Sequence, residues 1–109
     1  AKSIVIATGS TPIVPAAWQD FAEDIVTTDD FFELEDLPAS MAVIGLGSIG
    51  LELGQSLHRL GCEVVGVDAQ HTIGGLTDPE VVKWATEIIG KEFPLWLGAA
   101  LTLARRRPA

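Results

Sequence analysis

Apolar positions along the chain fall into two spacings, and the switches between them mark out the elements. Ile4-Val5-Ile6-Ala7 is an unbroken, mostly β-branched run that stops at Gly9, the pattern of a buried strand entering a tight turn. Met41 to Ile44 and Glu63 to Val67 have the same character. Phe93 to Leu97 is a further strand, whose Pro94 places its beginning outside regular pairing. Helical spacing appears from Ser48 to Leu60, where Ile49, Leu53, Leu57 and Leu60 share one face and Gly61 is placed to end the helix left-handed. Asp78-Pro79-Glu80 starts a second helix, with a capping carboxylate, a proline whose missing N–H costs nothing, then an acid. It runs to about Ile89 with Val81, Ala85 and Ile88 as its buried stripe, and Gly90 terminates it.

Strand, helix, strand, helix, strand is the repeating unit of an α/β fold, here a Rossmann-like parallel sheet with flanking helices over residues 39–98. Residues 11–38 read as a connecting segment, punctuated by Pro12, Pro15 and Pro38 and rich in acid. Within it Thr28 caps a short helix, Asp29 to Leu34. Residues 99–109 start a further strand, cut short, and end in Arg105, Arg106 and Arg107, which read as a solvated tail, a divergent loop or an extraneous remnant and make no nucleic-acid site against the acidic background. Residues 1–10 form a strand without a lead-in, so the chain is expected to be a truncated piece of something longer. Stripped of its sheet, that strand is expected to pack adventitiously or against another copy.

Composition narrows the partners. A net charge of −8 repels nucleic acid and anionic membranes, leaving small molecules or protein. No window reaches the length of apolar sequence a bilayer span needs and no signal pattern opens the chain, so a soluble, cytoplasmic protein is expected. Cys62 is the single cysteine, which excludes an internal disulfide and a paired-cysteine redox or zinc motif, and it reads as a buried structural thiol. His58 reads as a surface residue, His71 as a loop histidine, and Trp84 and Trp96 as packing residues.

The sharpest chemistry is Gly45-Leu46-Gly47-Ser48-Ile49-Gly50, a G-x-G-x-x-G run directly after a strand and directly before a helix. Gly45 permits the tight turn, Gly47 lets a pyrophosphate approach the backbone, Gly50 lets helix and strand pack closely, and the helix N-terminus offers unpaired N–H groups to phosphate. Glycine turns also occur in loops that bind nothing. Asp68 adds the second half of the fingerprint: at the end of the next strand, about 20 residues on, it can accept the ribose hydroxyls. A 2′-phosphate against Asp68 would meet like charge, so NAD is expected rather than NADP.

Ile6-Ala7-Thr8-Gly9-Ser10, Thr28-Asp29-Asp30-Phe31-Phe32, Leu37-Pro38 and Val43 to Glu52 together resemble the pyridine nucleotide-disulfide oxidoreductases. Ile73-Gly74-Gly75 with Asp78-Pro79-Glu80-Val81 is most similar to the dihydrolipoyl dehydrogenases among them, although members usually carry Glu where Asp68 stands. The resemblance implies that residues 1–10 close an FAD-binding domain, with Thr8 and Gly9 on the flavin side, and that 11–109 form the NAD-binding domain. It implies that Glu52 pairs with a flavin-site lysine outside this chain, and that Ile49 lies near the nicotinamide. It also implies an FAD- and NAD-dependent parent, homodimeric through another domain and serving a 2-oxo acid dehydrogenase complex. The redox cysteine pair and the catalytic histidine would lie elsewhere, leaving this stretch without catalytic residues of its own. A soluble transhydrogenase or a mercuric-reductase-like flavoenzyme would share these features. Outside the family, an S-adenosylmethionine-dependent methyltransferase or a nucleotide-binding regulatory module stays open.

Overall fold

The computed structural model describes residues 1–106 of the chain. They divide into two compact units, Ala1–Glu35 with Arg105 and Arg106, and Asp36–Ala104.

The second unit is a three-stranded parallel sheet in the order β1-β2-β3, made of β1 (Ser40–Ile44), β2 (Glu63–Asp68) and β3 (Leu95–Leu97). Two twelve-residue helices connect the strands, α2 (Ser48–Arg59) and α3 (Pro79–Gly90). The expected alternation of strands and helices is therefore present. Register sets Met41 beside Val64, Val43 beside Gly66, and Gly66 beside Leu95, so these residues share one sheet face. That face meets α2, because the positions that would carry Cβ atoms on Gly50 and Gly54 both lie 3.5 Å from Val43 methyl groups. The core comprises Leu46, Leu57, Cys62, Val64, Val67, Ile73 and Phe93.

Helix ends follow local chemistry. Gly61 ends α2 at φ +98°, the left-handed value expected of it. Asp78 caps α3 by accepting the Glu80 and Val81 N–H groups at 2.9 and 3.1 Å. Gly90, by contrast, sits in the last turn of α3, and the cap is Lys91 in right-handed conformation. A polar bridge ties α2 to the approach to β3: Glu92 accepts from Gln55 Nε2 at 2.7 Å and from Arg59 Nη2 and Nε at 3.0 and 3.1 Å.

Buried faces depart from the expected stripes. On α2 Gly54 and Leu57 are buried and Leu53 half-buried, while Ile49 and the C-cap residue Leu60 are exposed. On α3, Val82, Ala85, Thr86 and Ile89 are half-buried, and Val81, Trp84 and Ile88 face out. This helix is apolar on several sides, so periodicity could not choose the face that the sheet chose. Trp96 is also exposed, contrary to the packing role expected for both tryptophans.

No strand continues over 99–106. Gly98 turns the chain at φ +63°, and its N–H and that of Ala99 bond back to the Gln70 and Asp68 carbonyls at 2.9 and 3.1 Å. The imidazole of the exposed His71 lies over Gly98, so a side chain there would have to displace it.

In the first unit, residues 1–10 are exposed and carry no strand pairing. A strand is stabilised by its neighbours, and none of the described residues pairs with this run. A 3₁₀ helix, Ala16–Asp24, occupies the segment expected to be irregular. The short helix α1 spans Thr28–Phe31, starting one residue earlier and ending three residues sooner than expected, and its cap is Thr27, whose hydroxyl donates to Asp30 at 2.7 Å. Arg105 remains exposed and pairs with the exposed Asp24 at 3.2 Å, lying 5.4 Å from the centre of the Phe21 ring. Arg107 lies outside the described residues.

Candidate functional site

The turn from β1 into α2 is the Gly45 to Gly50 run, and its three glycines serve three different ends. Gly45 has φ +92°, a conformation that a side chain disfavours. Gly50 has no room, since a Cβ there would fall on the Gly45 carbonyl. Gly47 is different. Its φ of −67° and ψ of −174° suit any residue, and a Cβ added to it would meet nothing within 4 Å. The fold itself does not demand a glycine there, whereas a ligand lying on the backbone would.

The N-terminus of α2 is also open. Its first intrahelical bond runs from Leu51 N to Gly47 O at 3.0 Å, so the N–H groups of Ser48, Ile49 and Gly50 have no partner in the helix. Gly47 supplies no side-chain cap, and no acid stands in the first turn. The other long helix, α3, has both, in Asp78 and Glu80. An uncapped end with aligned dipoles is suited to an anion from outside the chain. The empty space over Gly47 and these N–H groups fit the pyrophosphate of a dinucleotide.

Leu46 anchors the turn. Its side chain is 1% exposed and rests on Gly66, where an added Cβ would come within 2.9 Å of a Leu46 methyl group. Sequence reading missed Gly66, although a glycine in the middle of a strand signals close approach. It also missed Gly54, whose bare backbone seats the buried Phe93 ring, 3.1 Å from the nearest possible Cβ.

Asp68 ends β2, beside the turn. One carboxylate oxygen accepts the Leu46 N–H at 2.6 Å and the other accepts the Gln70 N–H at 2.8 Å. Each oxygen keeps a second lone pair for an outside donor such as a ribose hydroxyl. Parallel pairing of β1 with β2 thus brings Gly45 to Gly50 and Asp68 together at one end of the sheet. Ser48 and Ile49 are exposed there, Ile49 to 58%. Glu52 is exposed on α2, and its carbonyl accepts the Ser56 hydroxyl at 2.7 Å. Thr8 and Gly9 belong to the other unit, in exposed chain, with Gly9 at φ +75°.

Cys62 is buried below the sheet's opposite end, and burial, with Glu63 close by, pushes its thiol pKa up. It has the character of a core residue rather than a nucleophile. Among the described residues no cluster of three or more His, Cys, Asp or Glu could hold a metal ion, and no helix is long and apolar enough to cross a membrane.

Residues 1–92 match the sequence pattern of the family described as pyridine nucleotide-disulphide oxidoreductase. Among curated proteins, dihydrolipoyl dehydrogenase of Synechocystis sp. is 37% identical over 91 residues, 84% of this chain and 19% of its own. Mercuric reductase of Staphylococcus aureus is 40% identical over 80 residues, 73% of this chain and 15% of its own. Soluble pyridine nucleotide transhydrogenase of Mycobacterium bovis is 36% identical over 80 residues, with 73% and 17% covered. The chain therefore spans less than a fifth of the length of these relatives. Of solved structures, the copper complex of the HOCl-induced flavoprotein disulfide reductase RclA from Escherichia coli superposes with a TM-score of 0.74 at 20% identity. The match covers 84% of this chain and 22% of that one, and it shows the likeness of fold.

Proposed function

The chain belongs to the pyridine nucleotide-disulphide oxidoreductase family, and from that premise we propose that it is the NAD-binding part of a dihydrolipoyl dehydrogenase. Members of the family bind FAD and NAD(P), and its relatives are oxidoreductases. Membership sets aside the methyltransferase reading of the glycine turn.

The observation that carries the proposal is Gly47, a glycine with ordinary backbone angles and free space in front of it, at the uncapped start of α2. Gly47, Ser48, Ile49 and Gly50 hold the pyrophosphate through backbone N–H groups, with Gly45 and Leu46 shaping the turn. Asp68 accepts the adenosine ribose hydroxyls and disfavours a 2′-phosphate, which makes NAD the nucleotide used. Thr8 and Gly9 lie on the FAD side, and Glu52 reaches towards a lysine of the flavin site.

The net reaction of the whole protein is dihydrolipoyl dithiol plus NAD⁺ giving the disulfide, NADH and a proton. Bound FAD and NAD⁺ would supply the two-electron chemistry, and the residues of this chain that would hold the nucleotide are Gly47, Ser48, Ile49, Gly50 and Asp68. Residues of this chain bind and orient the nucleotide and move no proton. The Ile73-Gly74-Gly75 and Asp78-Pro79-Glu80-Val81 resemblance supports the dihydrolipoyl dehydrogenase reading, and with it we read the parent as a cytoplasmic homodimer serving a 2-oxo acid dehydrogenase complex. Mercuric reductase and soluble transhydrogenase relatives match over comparable lengths, so substrate assays must include theirs.

Calorimetric titration of the chain with NADH and NADPH, in wild type and Asp68→Ala, tests the proposal. NADH bound in preference to NADPH, and weakened in the variant, is expected. Failure of both nucleotides to bind, or equal affinity for the two, refutes the NAD reading.

A further inference from the structure

The Leu46 peptide groups sit between glycines, and glycine dihedrals are soft, so the conformation of this turn needs an outside restraint. The structure holds it from two sides. Leu46 N–H donates to Asp68 Oδ2 at 2.6 Å, and Leu46 C=O accepts the Gly74 N–H at 2.7 Å. A third bond, Gly45 N–H to the Val67 carbonyl at 2.9 Å, fixes the root of the turn to β2.

Both holding groups are themselves braced. The second carboxylate oxygen of Asp68 is engaged by Gln70 N–H at 2.8 Å, which fixes the orientation of the side chain. The Gly74 loop is pinned by the fully buried Ile73, by Leu76 N–H to the Ile73 carbonyl at 3.1 Å, and by the Thr72 hydroxyl to the Leu76 carbonyl at 2.7 Å. Gly74 and Gly75 have φ of +63° and +70°, and this double left-handed step presents the Gly74 N–H to Leu46. A hydrogen bond to a carboxylate is about twice as strong as a neutral one, so the Asp68 side of the grip is the firmer.

We propose that Asp68 and Gly74 form a clasp on Leu46 and are positioning residues for the nucleotide phosphates, acting through the shape of the glycine turn. A Leu46 held at both its N–H and its C=O cannot swing its carbonyl into the space over Gly47, where it would repel a phosphate. Asp68 then has two roles, one towards the ribose and one towards the turn, and the Gly74 loop is part of the site without touching the ligand. This rests on reading the turn as a phosphate site.

The test uses Gly74→Ala, Gly74→Asn and Asp68→Asn in the 109-residue chain, with two readouts. Hydrogen exchange in the absence of nucleotide reports the two halves of the clasp, the Leu46 amide its bond to Asp68 and the residue 74 amide its bond to the Leu46 carbonyl, and fluorescence titration with NADH reports the site. Alanine at a left-handed position is strained, whereas asparagine tolerates it, so Gly74→Ala should weaken NADH binding by about tenfold and Gly74→Asn should recover most of it. Exchange should accelerate at the residue 74 amide in Gly74→Ala and at the Leu46 amide in Asp68→Asn. Unchanged exchange at either amide in its variant overturns the clasp, and accelerated exchange in Gly74→Ala with unchanged NADH affinity overturns its role in positioning. A wild-type chain that binds no NADH overturns the nucleotide reading itself and the positioning role with it, and the exchange data still report separately whether the grip on Leu46 exists.

Discussion

Gly47→Ala separates folding from binding more cleanly than any other change in the turn. Two small terms act on stability. Losing a glycine narrows the unfolded ensemble and stabilises by about 0.4–1 kcal/mol where the native angles are compatible, as φ −67° and ψ −174° are. Gly47 is also the N-cap of α2, and alanine is a poorer cap than glycine by roughly 0.5–1 kcal/mol. No steric term enters, because the new methyl group meets nothing within 4 Å. The terms offset, and the net change should stay within about 1 kcal/mol of zero. Binding has no such offset. The methyl group would occupy the space proposed for the pyrophosphate, and a loss of at least tenfold in NADH affinity is expected, about 1.4 kcal/mol. Urea unfolding and NADH titration on the same preparations check both numbers. Wild-type affinity in Gly47→Ala would refute the cradle, and a destabilisation well above about 2 kcal/mol, beyond the loss of a cap, would refute the reading of Gly47 as free of structural duty.

Gly50→Ala should do the opposite, destabilising by about 1–3 kcal/mol because its Cβ meets a backbone carbonyl rather than a movable side chain, which chemical denaturation would read directly. Gly66→Ala presses on Leu46 and Leu95 methyl groups at 2.9 and 3.0 Å, and should cost about 1–2 kcal/mol while also weakening nucleotide binding through the displaced turn. The hydrogen bonds from Arg59 and then Gln55 hold the Glu92 carboxyl below its usual 4.5, so the folded chain binds fewer protons than the unfolded one as pH falls through that range. The contribution of the bridge is complete above the ordinary carboxylate value and is lost as pH falls through the lowered one, and Glu92→Gln should flatten that part of a pH–stability profile. Thr86 Oγ1 is buried without a partner among the described residues, so Thr86→Val should be neutral or raise stability by up to about 1–2 kcal/mol in thermal or urea unfolding.

Features that depend on near neighbours in the chain are legible in the sequence by itself. Gly61 had to turn left-handed after a helix, Asp78-Pro79-Glu80 had to begin one, and β-branched runs spaced by helices had to make a parallel sheet, because caps, turns and propensities act within a few residues. Gly45 to Gly50 and Asp68 are legible as a pair because their spacing is that of one strand-helix-strand unit. Tertiary structure decided the rest. Val81 and Ile88 were as eligible for burial as Val82 and Ile89 until α3 met the sheet, since a helix whose apolar surface is this broad does not by its periodicity choose which part is covered. The run 4–7 has strand composition, yet composition cannot provide the neighbour that a strand needs. Gly66 beneath Leu46, and Asp68 and Gly74 on the Leu46 N–H and C=O, are relations between residues far apart in the chain. They exist only once β1 and β2 lie side by side, and so could be read only from the fold.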